Sequence, residues 1–292
     1  MSESQKDMWS EWLLNRRFGG NTERMKAAMD FLYPVRDKVL HNANLGENET
    51  LLDVGCGDGL IAFGALEKSK TAKVIFSDVS QDLLNHAQSI AQEMNIIDRC
   101  KFICAPAEDH SVIGNESVEV ITTRSVLIYV AAKQQAFNEF YRILKPQGRL
   151  SIFEPINRFR YPEPSHIFGG YDVTNVSEIA QKVKAVYHKI QPPDNDPMLD
   201  FDERDLITFA EKASFKEIHL DLQVEIKPKN NDVSWEVMLR TASNPKIPTL
   251  EEAMSEALTP IEIKEFIACL RPLVETKRGV NQSALAYLWA VK

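Results

Sequence analysis

Between Leu51 and Leu60 the sequence reads LLDVGCGDGL, and its residue types suit a ligand loop. A short apolar run delivers Asp53 to a turn holding Gly55, Gly57 and Gly59, and a helical pattern follows. Glycines belong in a sharp strand-to-helix turn because they accept backbone angles closed to other residues, and because a ligand approaches closely where there is no Cβ. The helix beyond presents free N–H groups in its first turn. The spacing is GxGxG, so the dinucleotide fingerprint GxGxxG fails at its third glycine. Asp53 repels a pyrophosphate and favours a cationic ligand, directly or through water. A sulfonium cofactor with an ammonium group and no phosphates satisfies that electrostatics. Asp78, in VIFSDVS, ends the next apolar run, where a carboxylate accepts both hydroxyls of a ribose. A third run leads into Ala105, Pro106, Ala107, Glu108 and Asp109, placed to meet a base.

These residues need a scaffold that gathers strand ends. Short apolar runs at 50–54, 73–76, 101–104, 118–122 and 149–153 predict strands, and helical patterns at 60–68, 80–94 and 132–144 lie between them. Strands alternating with helices predict βαβ units and a parallel sheet covered on both faces. In such sheets strand order switches beside the first strand, so the loop, Asp78 and the third-strand segment share one crevice. The first 45 or so residues read as helices, broken at Gly19-Gly20 and capped anew by Asn21 or Thr22. After Glu154 the pattern predicts a loop at 157–171, helices at 173–190 and 201–212, and a strand at 215–226 with Ile218, Leu220, Leu222, Val224 and Ile226 on one face. Helices at 250–258 and 260–275 and a last strand at 284–291 complete it.

With 292 residues, 44% hydrophobic and 26% charged, the chain has the composition of a globular protein, not of a collagen, coiled coil or disordered segment. Thirty-four Lys and Arg against 42 Asp and Glu give a net charge of −8, which disfavours nucleic acid. No apolar stretch is long enough to span a bilayer, and the polar N-terminal residues lack a signal-peptide core. Cys56, Cys100, Cys104 and Cys269 read as reduced cytosolic thiols. Neither they nor the histidines show ligand spacing, so no metal is expected and the location is expected to be cytoplasmic.

Residues 50–154 resemble the class I S-adenosylmethionine-dependent methyltransferases, most closely the ubiquinone/menaquinone and arsenite methyltransferase-like branch. The family's Asp-hydrophobic-Gly-x-Gly-x-Gly motif is matched from Asp53 to Gly59, and its acidic residue after the second strand by Asp78. LKPQGRL, from Leu144 to Leu150, resembles the family's turn before the fifth strand. The resemblance implies a Rossmann-like, doubly wound, seven-stranded α/β sheet with a helical N-terminal lid and helical insertions. It implies S-adenosylmethionine as cofactor, with Asp53, Gly55, Cys56 and Gly57 in its loop and Val79 packed on adenine. Ala107 and Glu108 fall beside the adenine. Pro106 replaces the family's acid there, so Glu108 or Asp109 is left to meet the amino group. Arg124 falls where the family meets the methionine part.

The implied organisation is a lid at 1–48, a cofactor-binding core at 49–156, a helical substrate lid at 157–214, and C-terminal strands at 215–292 carrying a helical insertion at about 230–278. The implied activity is methyl transfer to a small molecule by in-line displacement, with the acceptor entering over the fourth and fifth strands. Glu154, His166 and Tyr171 are the candidate catalytic residues, beside Tyr129 and Asp172. Each also has a plain reading: Glu154 as a cap, His166 as a solvated loop residue, the loop aromatics as core. Trp9, Trp12, Arg16 and Arg17 read as a docked helix with a solvated basic edge, or as a lid whose arginine meets the cofactor carboxylate. A non-methylating reaction on the same cofactor and a protein substrate are the alternatives. The oligomeric state is left open.

Overall fold

Five short runs rich in branched and aromatic residues form the parallel part of the sheet, where helices on both faces take them out of water. The computed structural model describes residues 6–229 and 234–292. Residues 1–5 of the expected lid and 230–233 of the expected second insertion lie outside the described residues. The chain opens with α1 (Met8–Glu11), a π-helical turn (Trp12–Arg16) and α2 (Thr22–Ala43). The core follows as β1 (Thr50–Val54), α3 (Leu60–Lys68), β2 (Lys73–Asp78), α4 (Gln81–Glu93), β3 (Cys100–Cys104), β4 (Val118–Arg124), α5 (Lys133–Ile143) and β5 (Leu144–Pro155). Then come the hairpin β6 (Ile167–Phe168) and β7 (Tyr171–Asp172), α6 (Ser177–Ile190), α7 (Glu203–Lys212) and β8 (Glu217–Pro228). The chain closes with α8 (Trp235–Arg240), α9 (Leu250–Ala257), α10 (Pro260–Glu275) and β9 (Val280–Val291).

The seven-stranded sheet runs β3-β2-β1-β4-β5-β9-β8, parallel through β5, with β9 antiparallel between β5 and β8. Strand order reverses between β1 and β4, which opens a crevice at their C-terminal ends. Asn21 caps α2, its Oδ1 accepting from the Arg24 N–H at 2.8 Å, and Ser80 caps α4. One face of the sheet packs Leu52, Ile121, Phe137 and Phe140; the other packs Leu51, Val74, Val39 and Ile61. A third apolar cluster, Phe168, Val183, Trp235, Phe266 and Leu270, joins α6, α8 and α10 apart from the sheet.

Three expectations change. The helix at 201–212, expected in the insertion, packs as α7 on the sheet with α5, through Leu206, Ala210 and the Phe137–Phe209 ring pair at 5.8 Å. The expected loop at 157–171 contains β6 and reaches into β7, where Phe168 meets Phe266 edge-on. The apolar face of the strand after α7 is covered only at its start. β5 pairs with β9 as far as Pro155 and Leu285, whereas β8 follows β9 on to Pro228 and Val280. Val224 and Ile226 therefore run past the end of β5, and Ile226 is 64% exposed. Helix α8 was not expected from the sequence.

Candidate cofactor site

The loop after β1 is shaped by close approach. Gly55 stands at φ +64°, and a Cβ there would lie 2.2 Å from Val126 Cγ2. Gly57, at φ +55°, has only Leu13 Cδ2 within 4 Å of where its Cβ would be. The first glycine is needed for packing, and the second leaves open space for a ligand. The Cys56 N–H donates to the Ser77 carbonyl at 2.9 Å and the Gly57 N–H to Asp78 Oδ2 at 2.8 Å, which ties the loop to the end of β2. Asp78 Oδ1 accepts from the Ser80 N–H at 2.9 Å. Burial raises the Asp78 carboxyl and Asp7 adds to this, against the Ser80, Gly57 and Val79 backbone N–H groups that stabilise its charge.

A cavity of about 210 Å³ opens over this loop. Its floor is Gly55, Gly57 and Asp78. Val79, 48% exposed, forms an apolar slot with Ala105 and Ala107, and Glu108 stands on the same wall. Arg124 faces it from the end of β4. Of the expected cofactor residues, Gly55, Gly57, Asp78, Val79, Ala107, Glu108 and Arg124 thus line one cavity.

Asp53 and Cys56 do not. Asp53 is buried beneath the loop, its Oδ1 accepting from Thr122 Oγ1 at 2.8 Å while Oδ2 has no hydrogen-bond partner among the described residues. Burial pushes its carboxyl up to about 7, against the Thr122 bond and the Arg124 charge. The Cys56 thiol is buried too, and burial with Asp53 nearby pushes its pKa upward. Both support the loop from below, because the turn that exposes the glycines directs these side chains into the core.

The N-terminal segment roofs the cavity with Trp9, Trp12, Leu13 and Arg17. Trp9 packs edge-on to Tyr129 at 4.9 Å, and Trp12 Nε1 donates to the Ala242 carbonyl at 3.0 Å. The Arg17 N–H reaches back to the Trp12 carbonyl at 2.8 Å, an i→i+5 bond. The wider turn brings residue 17 over residue 12, a face it would leave in an α-helix of 3.6 residues per turn. The Arg17 guanidinium lies 5.4 Å from the Trp12 ring centre, facing the cavity. Burial lowers its pKa to about 10, and the Arg124 charge contributes, against Asp58 and Tyr129. Arg16 turns outward to Glu252 at 2.7 Å. The tryptophans are docked, one arginine is turned inward and the other outward. Among the described residues Arg17 and Arg124 make no ion pair, and both line the cavity that also holds Asp78 and Glu108.

None of the three expected catalytic residues lines this cavity. Glu154 is fully buried; its Oε1 accepts from the Val126 and Leu127 N–H groups at 2.8 and 2.9 Å, and its Oε2 from Ile128 at 3.3 Å. Burial pushes it up to about 7, against those three donors and Lys133. Its carboxylate is spent on the loop after β4. His166 is exposed in the turn before β6, and Tyr171 is buried under Lys229, because this segment packs on α10 and not across β4. Asp172 is engaged with Thr174. Tyr129 does line the cavity, its hydroxyl pushed up to about 12 by burial, against Arg17. Ser125 and Val126, from the segment after β4 that the resemblance points to, complete that wall with Val130, which the sequence did not single out. Among the described residues no group of three His, Cys, Asp or Glu side chains is placed to hold a metal, and no helix is long and apolar enough to cross a membrane.

Comparison with known proteins gives the following. A family model described as "Methyltransferase domain" matches residues 45–203. The ubiquinone/menaquinone biosynthesis C-methyltransferase UbiE of Rickettsia typhi is 28% identical over 152 residues, 49% of this chain and 61% of that protein. The chain thus spans about three fifths of that relative's length, the matched share being 61%. Geranyl diphosphate C-methyltransferase from Streptomyces coelicolor A3(2), solved with Mg2+, geranyl diphosphate and S-adenosyl-L-homocysteine, superposes with a TM-score of 0.52 at 17% identity, covering 92% of this chain and 82% of that one. The [4+2]-cyclase SpnF superposes with a TM-score of 0.52 at 20% identity, covering 89% and 80%. At such identities the two structures speak for the fold alone.

Proposed function

The chain belongs to the methyltransferase domain family, and on that premise we propose that it transfers a methyl group from S-adenosylmethionine to a small-molecule acceptor by in-line displacement. The observation that carries this reading is the joint lining of one cavity by Gly57, Asp78 and Val79 on one side and by Arg17 and Arg124 on another. The residues fit the cofactor. Asp78 has lone pairs left for ribose hydroxyls beyond its two backbone bonds. Val79, Ala105 and Ala107 offer a slot for a flat ring, and Glu108 an acceptor for its amino group. Arg17 and Arg124 supply the charge that a carboxylate requires.

When bound, S-adenosylmethionine supplies an electrophilic methyl on a sulfonium centre. The protein's part is placement and exclusion of water. Trp9, Trp12 and Leu13 close the cavity from above. Glu154 fixes the loop that carries Val126 and Tyr129, so the wall facing the reacting groups is rigid. Catalysis on this reading rests on alignment and needs no base from Glu154, His166 or Tyr171. The four free thiols support a cytoplasmic setting.

Calorimetric titration with S-adenosylmethionine, S-adenosylhomocysteine and NAD tests the proposal. Binding of the first two and not of NAD supports it, followed by a screen for acceptor-dependent release of S-adenosylhomocysteine. Cofactor binding with no such release from any acceptor turns the reading toward a non-methylating reaction. Tight NAD binding overturns it.

A further inference from the structure

The alternating run from Glu217 to Pro228 lies on the rim of the sheet. Among the described residues β8 pairs with β9 alone, so its other side is an open edge of 12 residues. The directions of its main-chain groups follow from two bonds. The Lys229 N–H donates to the Gly279 carbonyl at 2.9 Å, and the Val280 N–H, opposite Pro228, donates away from β8 to the Gly170 carbonyl at 2.8 Å. An antiparallel ladder alternates, so the odd-numbered residues of β8 bond to β9. Ile218, Leu220, Leu222, Val224 and Ile226 therefore turn their N–H and C=O groups to the open edge. Pro228, which has no N–H, falls at the next outward position, where an edge strand tolerates proline.

The same alternation sorts the side chains. The apolar ones share the face that packs toward α7 at Ile218 and Leu220, while Leu222, Val224 and Ile226 are exposed. The polar ones share the other face, where Asp221 pairs with Lys38 at 3.0 Å and His219 stacks on Trp289 at 5.0 Å. An open edge of this length with one apolar face is a template for another strand, and its charges decide which strand fits.

Those charges fit a second copy of the chain in one register. With the strands antiparallel and Leu222 opposite Leu222, Glu217 of each copy stands opposite Lys227 of the other, His219 opposite Glu225, and Asp221 opposite Gln223. These are the pairs without mutual hydrogen bonds, in which side chains stand closest. On the apolar face Leu220 meets Val224, and the exposed Ile226 meets Ile218. The neighbouring registers fail. Centred on Asp221, the pairing sets Asp221 against Asp221 and Glu217 against Glu225; centred on Gln223, it sets Asp221 against Glu225. Like charges directly opposite one another destabilise a strand pair.

We propose that two copies of this chain join through β8, antiparallel about a two-fold axis at Leu222, so that their sheets become one. Each outward N–H from Ile218 to Ile226 then meets a carbonyl of the other copy. The contact is isologous and closes on itself, because it uses the open edge of both copies.

Sedimentation velocity of the whole chain over a concentration series tests this, and a dimer is expected. Lys227→Glu sets two acids face to face twice in each dimer and is expected to weaken association about tenfold. Adding Glu217→Lys to it restores opposite charges and is expected to recover the affinity. Leu222→Pro removes an outward N–H at the axis without touching the ladder to β9, and is expected to be monomeric. If Leu222→Pro loses its near-ultraviolet circular dichroism, the charge series decides alone, since Glu217 and Lys227 are both exposed. A wild type that stays monomeric up to about 100 μM overturns the proposal. So does a folded Leu222→Pro that still dimerises, a double charge variant no tighter than Lys227→Glu, or growth beyond the dimer with concentration.

Discussion

The Ser80 hydroxyl donates to Asp7 Oδ2 at 2.6 Å, and this bond joins two helix caps. Asp7 caps α1, its Oδ1 accepting from the Trp9 and Ser10 N–H groups. Ser80 caps α4, its Oγ accepting from the Leu83 N–H at 3.1 Å. The Asp7 N–H also reaches Asp82 Oδ2 at 2.7 Å. The cavity roof is thereby fastened beside Asp78, the residue assigned to the ribose.

Asp7→Ala removes a cap and a tether together. A lost cap costs about 1 kcal/mol of local stability, and about fivefold weaker S-adenosylhomocysteine binding is expected, since 1.4 kcal/mol corresponds to tenfold. Calorimetry reads the affinity, and tryptophan emission reads Trp9 and Trp12. Unchanged affinity with altered emission would show that the roof contributes nothing to binding.

Arg17 and Arg16 are neighbours with opposite expectations. Arg17→Met is expected to weaken S-adenosylmethionine binding about tenfold by removing a cation from the cavity. Arg16→Met removes only an exposed ion pair to Glu252 and leaves affinity unchanged. Equal effects of the two would place neither arginine at the cofactor.

The loop glycines separate folding from binding. Gly55→Ala drives a Cβ into Val126 at a positive φ and is expected to lower the urea midpoint. Gly57→Arg is expected to leave a folded chain that no longer binds S-adenosylhomocysteine, because its side chain enters the cavity. Normal affinity in folded Gly57→Arg would move the cofactor elsewhere.

Glu154 makes stability depend on pH with a definite sign. Its carboxyl is raised from the ordinary 4.5 to about 7 by burial, so the folded chain holds the proton more tightly than the unfolded chain does. As pH rises between these values the unfolded state loses its proton first, and stability falls. Asp53, raised from 3.8 to about 7, acts in the same direction. Glu154→Gln is expected to flatten this part of the profile, at the cost of an unmatched donor facing the 126–128 backbone. Urea midpoints at about pH 5, 6, 7 and 8 measure the slope; a variant with the wild-type slope would exclude Glu154 as its source.

The wall of the cavity over β1 and β2 was legible in the sequence because its parts are local. A glycine pattern, an acid at a strand end and an apolar residue after it follow each other along the chain, and each strand end delivers its own residue to the crevice. The same locality misleads at Glu154. Its place at the end of β5 is evident, but the direction of its carboxylate depends on three N–H groups from a loop 26–28 residues earlier. Nothing in the sequence distinguishes Arg17 from Arg16, because the distinction lies in one i→i+5 turn. The alternation from Ile218 to Ile226 identified a strand face, but not that β8 would outrun β5, which leaves Val224 and Ile226 beyond the sheet's shared length.

The roof also has a kinetic consequence. Residues 7–17 are held by partners far apart in the sequence, Ser80, Ala242 and Glu252. On the proposed reading, the residence time of a cofactor held between Trp12 and Gly57 is expected to lengthen as these contacts hold the segment down, apart from any change in its affinity.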